Sequence, residues 1–393
     1  MEKVYKKNNQ TGFSHHFLLP LLAILLIGAI GAYLTFWSSA ATLPMTVTEH
    51  VAKQRGNVEG RLFNGDGGFG VKTKSGTILN FYGDSFVQAD PATASKYPKA
   101  AKQTAYMMHN NVLITNRTGQ VKSVVSGDNL LALKSFIDVP AAKQLPNGSN
   151  YYWPSGAAVR MSGTNAGNRI YVSLMRVYSP NDGSGVWNFK TVGGDIALYD
   201  LTSDNSLILR KLYNAPNTSA DAVPILWSGG VYIENGFLYV LGSYKPSGEY
   251  VWGQDLYLSR VPLDKAGSLS VWRYWNGAAW VADRQAAKPI VPNSYGAEAT
   301  AKISRDSSGY YTFVFKQFSF IGSKIMRATS PSLTGPWTVS TTPVATIEKL
   351  NETDFSYSAT EVPLYRGGKG VVVSHGNTVW GTPQNQIGIF PVP

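Results

Sequence analysis

Hydrophobic and polar positions after residue 60 alternate in short runs broken by Gly, Asn, Asp and Ser. The period of two predicts strands and the breaks predict turns. The stretch 66–86 sets the plan: a glycine-led strand, a tight turn at Ser75-Gly76, and a second strand ending Tyr82-Gly83-Asp84-Ser85-Phe86. A small-residue start, a turn and an aromatic, β-branched strand return at 151–178, 226–245, 295–317 and 357–376. Four of these units continue into further strands. The last reads as three strands, near 358–365, 370–375 and 386–392, and a weakly alternating segment at 43–51 is available to complete it. The expected architecture is all-β: a five-bladed β-propeller over residues 42–393, its edges protected by radial repetition. A large β-sandwich is the rival, but sandwiches show no repeat spacing of about 60 to 75 residues.

Ahead of this domain, residues 17–37 (FLLPLLAILLIGAIGAYLTFW) carry no charge and are long enough to cross a bilayer as one helix. Lys3, Lys6 and Lys7 precede them, which places residues 1–16 in the cytoplasm and the rest outside. A cleaved signal peptide is the rival, because Ser38-Ser39-Ala40-Ala41 offers small residues for cleavage. The length of the apolar run favours an uncleaved transmembrane anchor. The expected location is the cell membrane, single-pass with the propeller outside, or secretion after cleavage.

Cysteine is absent, which excludes disulfides, zinc ribbons and thiol catalysis. The net charge of +11 is scattered without a basic run. It suits loose attraction to acidic surfaces and gives no nucleic-acid footprint. No HExxH spacing occurs, so a zinc site is not expected. A structural calcium at the propeller axis, held by Asp or Asn oxygens and waters, stays open.

In a propeller the first strand of each blade lines the central funnel, and strand starts converge there. Those positions hold Asp66, Ser155, Ser228, Glu298 and Glu361. Carboxyls sharing one space raise each other's pKa, and glycosidases need one protonated and one ionised carboxyl. Isolated acids more often cap turns or pair with cations. Asp84 either accepts backbone N–H groups in its turn or supports the site beneath Asp66. His109 ends a long insertion at 87–109, of the kind that serves as a binding loop. Trp153 and Trp227, just before inner strands, are the aromatic rim candidates for stacking on sugar.

At these residues the chain resembles a known family. The Asp-Gly start, the strand ending Gly-Asp-Ser-Phe and the later Tyr-Trp-Asn-Gly-x-x-Trp segment at 274–280 are similar to those of exported bacterial five-bladed propellers that include endo-acting D-arabinofuranosidases. The plan also resembles propeller arabinanases, β-xylosidases and levansucrases. The resemblance implies hydrolysis of carbohydrate, often furanose polymers, with Asp66 in the place of the first-blade base or nucleophile. The wider group's acids on blades two and three have no counterpart, since Ser155 and Ser228-Gly229-Gly230 stand there. From this chain alone, Glu298 is the first choice of general acid and Glu361 the second. Asp84 and His109 support them. A polysaccharide is the expected partner. The alternatives are a non-catalytic propeller binding glycan or protein, and a metal-dependent funnel enzyme such as a lactonase.

Overall fold

The computed structural model describes residues 61–88, 106–124, 135–182, 188–216, 221–245, 253–347, 354–364, 369–377 and 388–391. Blade one is Phe69–Lys72, Ile78–Tyr82, Asn111–Thr115 and Val121–Val124. Blade two is Gly148–Arg160, Arg169–Pro180, Lys190–Leu201 and Leu207–Asn214. Blade three is Val231–Glu234, Phe237–Tyr244 and Asp255–Pro262, extended by the hairpin Arg273–Trp275 and Trp280–Val281. Blade four is Ser304–Arg305, Tyr311–Lys316, Lys324–Ser330 and Thr338–Val339, with Ala345–Thr346 also on its third strand.

Among the described residues the propeller has four full blades, not five. A sheet with three strands among the described residues, Asp354–Pro363, Lys369–Asn377 and Gly388–Pro391, packs between blade four and blade one. The segment 43–51, expected to supply its missing strand, lies outside the described residues. The repeat plan marks inner hairpins, which recur five times. A full blade also needs outer strands, and those carry no repeat signature.

Among the described residues no helix is long and apolar enough to cross a membrane. The run 17–37, on which the transmembrane anchor rested, lies outside them. The membrane partner and the single-pass location therefore drop out of the account.

The small-residue strand starts have a packing cause. A Cβ added to Gly156 would lie 2.7 Å from the Gly230 Cα, and one on Gly230 would lie 1.9 Å from the Ala301 carbonyl oxygen. Neighbouring inner strands thus approach too closely for any larger side chain. Away from that contact, apolar side chains fill the spaces between consecutive sheets. Phe81, Val112, Ile170 and Val172 pack in the cluster between blades one and two, and Leu258, Phe313 and Phe315 in the one between three and four. Each such side chain contributes about 1.5–3 kcal/mol on burial, against roughly 0–1 for a surface ion pair. Sheet-on-sheet burial, not charge pairing, holds the ring.

A small sheet grows out of blade one. The strand Ile78–Tyr82 continues through Gly83 and Asp84 into Ser85–Gln88, which pairs with Arg61–Gly65 on one side and Tyr106–Met108 on the other. Tyr106–Met108 then returns into blade one as Asn111–Thr115.

Candidate functional site

The junction between this small sheet and blade one collects polar side chains. Gly65 pairs with Ser85, and Ser85 with Met108. One step along, the same row is Asp66, Asp84 and His109. The Asp66 N–H donates to the Asp84 carbonyl at 2.8 Å, and the Gly83 N–H donates to the Asp66 carbonyl at 2.8 Å. The chain therefore bulges at Gly83-Asp84 opposite Asp66. Residues opposed in an antiparallel row share a face, with β-carbons about 4.5–5.5 Å apart. A Cβ on Gly83 would lie 3.6 Å from the Asp66 Cβ and 3.5 Å from Trp153 Cδ1, so Asp66 and Trp153 flank this bulge.

Ring donors hold both carboxyls. The Trp153 indole N–H donates to Asp84 Oδ1 at 2.9 Å, and His109 Nδ1 lies 3.0 Å from the same oxygen. A His109 with its proton on Nδ1 donates there and leaves Nε2 for other partners. The Tyr357 hydroxyl donates to Asp66 Oδ1 at 2.6 Å. His109 stacks flat on Tyr151, with ring centroids 3.7 Å apart. Trp153 meets Tyr151 at 5.7 Å and the edge of Phe189 at 5.1 Å. Burial, then the nearby Asp84 charge, pushes the Tyr151 phenol above its usual value. The Asp84 and His109 side chains keep 25% and 31% of their surface, enough for a solute to reach them.

The sequence explains this rigidity. Asn110 is fully buried beside His109. Its amide donates to the carbonyls of Ile137 at 3.0 Å and Tyr152 at 2.9 Å, and its oxygen accepts the Ile137 N–H at 2.9 Å. The His109 N–H donates to Ser135 Oγ at 3.2 Å. One asparagine thus ties the strand carrying Tyr151 and Trp153 to the turn carrying His109.

Of the expected site residues, Asp66, Asp84, His109 and Trp153 come together. Glu298 does not join the row. Its residue surface is half-buried, but Oε1 is shielded and has no hydrogen-bond partner among the described residues. Burial raises its pKa, offset in part by hydrogen bonds from Ser319 and Thr300 and by the charge of Lys316. It sits behind the 3-10 turn Ser319–Ile321, whose Phe320 stacks on Tyr357 at 4.9 Å. A chain of contacts runs from the turn through Phe320 to Tyr357 and so to Asp66.

Glu361 stands apart. It lies four residues beyond Tyr357 on the same strand, roughly 10–13 Å away at strand rise. Its carboxylate forms a 2.9 Å ion pair with Lys369 and is 3% exposed. Lys369 also donates to Ser304 Oγ at 3.1 Å, and Lys302 donates to the Gly70 carbonyl at 2.6 Å. Burial pushes the Lys302 amine down to about 8, against the pull of Glu361. Trp227, expected at the rim, is 1% exposed and packs against Tyr274 and Tyr257. It belongs to the core.

The expected calcium also drops out. Among the described residues no group of three or more His, Cys, Asp or Glu could hold a metal ion. Asp84 Oδ1 already accepts from Trp153 and meets His109, and Asp66 Oδ1 accepts from Tyr357.

Sequence reasoning missed Tyr357, Phe320, Phe189 and Tyr151. A signal existed for the first: Tyr357 opens the last repeat, where Tyr151 and Tyr295 open others.

Of three solved structures that align with the chain, one does so above a TM-score of 0.5. A putative hydrolase from Bacteroides ovatus aligns at a TM-score of 0.57 and 15% identity, over 80% of this chain and 79% of that one. A protein of unknown function from Dyadobacter fermentans aligns at 0.46 and 11%, over 86% and 81%. A thermostable family-43 glycoside hydrolase aligns at 0.45 and 12%, over 85% and 90%. The likeness is one of fold. No curated protein matches the chain. The expected kinship with the five-bladed family containing endo-D-arabinofuranosidases gives way, because the ring has four full blades among the described residues. Over residues 57–385, the chain belongs to the family described as Domain of unknown function (DUF5005).

Proposed function

We propose that the protein is a glycoside hydrolase acting on a polysaccharide of a cell surface or its surroundings, with arabinofuranose-containing polymers the first class to test. The observation that carries this reading is the bulge at which Asp66 and Asp84 are bonded through their backbones, with Trp153 donating to Asp84 and flanking Gly83 together with Asp66. Glycosidic cleavage needs two carboxyls flanking one bond, one to attack or to activate water and one to carry a proton. A flat indole next to them suits the apolar face of a sugar ring. The name of the Bacteroides ovatus fold relative, a putative hydrolase, agrees with this.

In this reading Asp66, oriented by the Tyr357 hydroxyl, attacks the anomeric carbon and forms a glycosyl ester as the glycosidic bond breaks. Asp84, coupled to His109, delivers the proton to the departing oxygen and then takes one from the incoming water. Carboxyls separated by about 5 Å give retention, and roughly 6.5–9.5 Å inversion. The opposed row favours the shorter spacing. Glu298, shielded behind its turn, is not the acid in this scheme, and Glu361 is neutralised by lysine.

The test is reducing-end release by the full chain from arabinan-type and other plant or bacterial polymers, with Asp66→Asn alongside. Release by the wild type, lost by about 1000-fold in the variant, is the expected result. Retention of glycan without release would instead mark a binding propeller. Unchanged release in Asp66→Asn would remove the assignment.

A further inference from the structure

Three residues other than glycine hold left-handed backbone beside the Asp66 site: Phe318 (φ 57°), Ser319 (φ 44°) and Ser358 (φ 55°). Such conformations persist only where the surroundings enforce them, and they gather where geometry matters for function. Here the first two open the 3-10 turn Ser319–Ile321, and the third follows Tyr357 at a bulge in its strand.

The enforcing group is Lys316. Its side chain is wholly buried, and its ammonium donates to the carbonyls of Ser319 and Gly322, one at each end of the turn. The Phe318 N–H donates to the Gly296 carbonyl at 2.9 Å. Glu298 accepts from Ser319 and lies within the field of Lys316. Burying an ammonium costs several kcal/mol before any pairing. A turn that needed only to be closed could use neutral donors. What the turn delivers is Phe320, stacked at 4.9 Å on Tyr357, whose hydroxyl reaches Asp66 at 2.6 Å.

We propose that Lys316 is a positioning residue for Asp66: it clamps the strained turn, the turn braces Phe320 against Tyr357, and Tyr357 sets the direction of the carboxyl. The catalytic consequence rests on the hydrolase reading, whereas the mechanical link does not. Glu298 is then packed against the clamp, beside Ser319 and Lys316.

Two variants of the full chain test this, Lys316→Met and Phe320→Leu, each with two readouts. The first is hydrogen exchange in peptides covering 316–322 and 354–358. The second is kcat and KM on the polymer that the wild type cleaves. Lys316→Met is expected to speed exchange in both peptides and not in blade two, and to lower kcat about 10- to 100-fold with KM within twofold. Phe320→Leu, at a half-buried position, is expected to lower kcat in the same way while the 316–322 peptide stays protected. Should Lys316→Met fail to fold, Phe320→Leu decides, and an unchanged kcat there overturns the proposal. If the wild type cleaves nothing, the hydrolase reading has failed, and exchange at 354–358 decides the link by itself. Exchange confined to 316–322 in Lys316→Met would show that the turn does not brace Tyr357.

Discussion

Two sets of carboxyls approach the inner strands of this propeller, built in opposite ways. Asp66 and Asp84 stay partly exposed and are held by aromatic side chains: a tyrosine hydroxyl, an indole N–H and a histidine ring nitrogen. Glu361 is 3% exposed and faces Lys369, with Lys302 near. A hydroxyl or an indole N–H orients a carboxyl and leaves it able to exchange a proton or meet a substrate. A lysine cancels its charge and converts the carboxyl into part of the scaffold. Position in the repeat does not separate Asp66 from Glu361, since both belong to the strand starts expected at the funnel. Their partners do.

The most direct attack on this contrast is Asp84→Asn. It keeps the shape of the row and removes the proton carrier, and hydrolysis is expected to fall about 100- to 1000-fold. Equal activity in wild type and variant, followed by reducing-end release, would mean that Asp84 belongs with Glu361 as scaffold. Tyr357→Phe is gentler. Losing one hydrogen bond to a charged acceptor removes about 1.5–3 kcal/mol, so kcat is expected to drop about 10- to 100-fold. A change in KM alone would place Tyr357 in binding rather than in holding Asp66.

Glu361→Gln should behave in reverse. Activity is expected to stay within about twofold, while chemical denaturation shows a loss of about 1–3 kcal/mol. That is less than a wholly buried pair would cost, because Lys369 is 41% exposed. The smallest effect concerns Lys302. Its amine, near 8 in the folded chain, binds its proton more weakly than the ordinary value of 10.5. Stability from this group is therefore reduced below 8 and recovered as pH rises from about 8 towards 10.5. Melting temperatures measured at pH 7.5 and 9.5 should show the wild type gaining relative to Lys302→Met. A parallel shift in both would show that the amine is not enclosed.

Much of the ring was legible. Strand alternation and small strand starts gave the inner hairpins, and close approach at Gly156 and Gly230 explains why those starts are small. The blade count was not, because outer strands such as Leu207–Asn214 lack a repeat signature and the last sheet has three strands among the described residues. At the site, Asp66, Asp84, His109 and Trp153 were visible as residues, but their meeting was not. It depends on a strand that leaves blade one at Gly83 and pairs across an insertion, which no local pattern encodes. Glu298 and Glu361 looked equivalent to Asp66 by repeat position. What distinguishes them is tertiary: a shielding turn over one and a lysine from the next strand against the other.

The meeting of Asp66 and Asp84 at one bulge is the centre of the account, and the stereochemistry of cleavage reports it. Proton NMR of the first product formed from a cleaved polymer would read the anomeric configuration before mutarotation. Retention is expected from carboxyls about 5 Å apart, and an inverted first product would contradict that spacing and with it the row as the reacting pair.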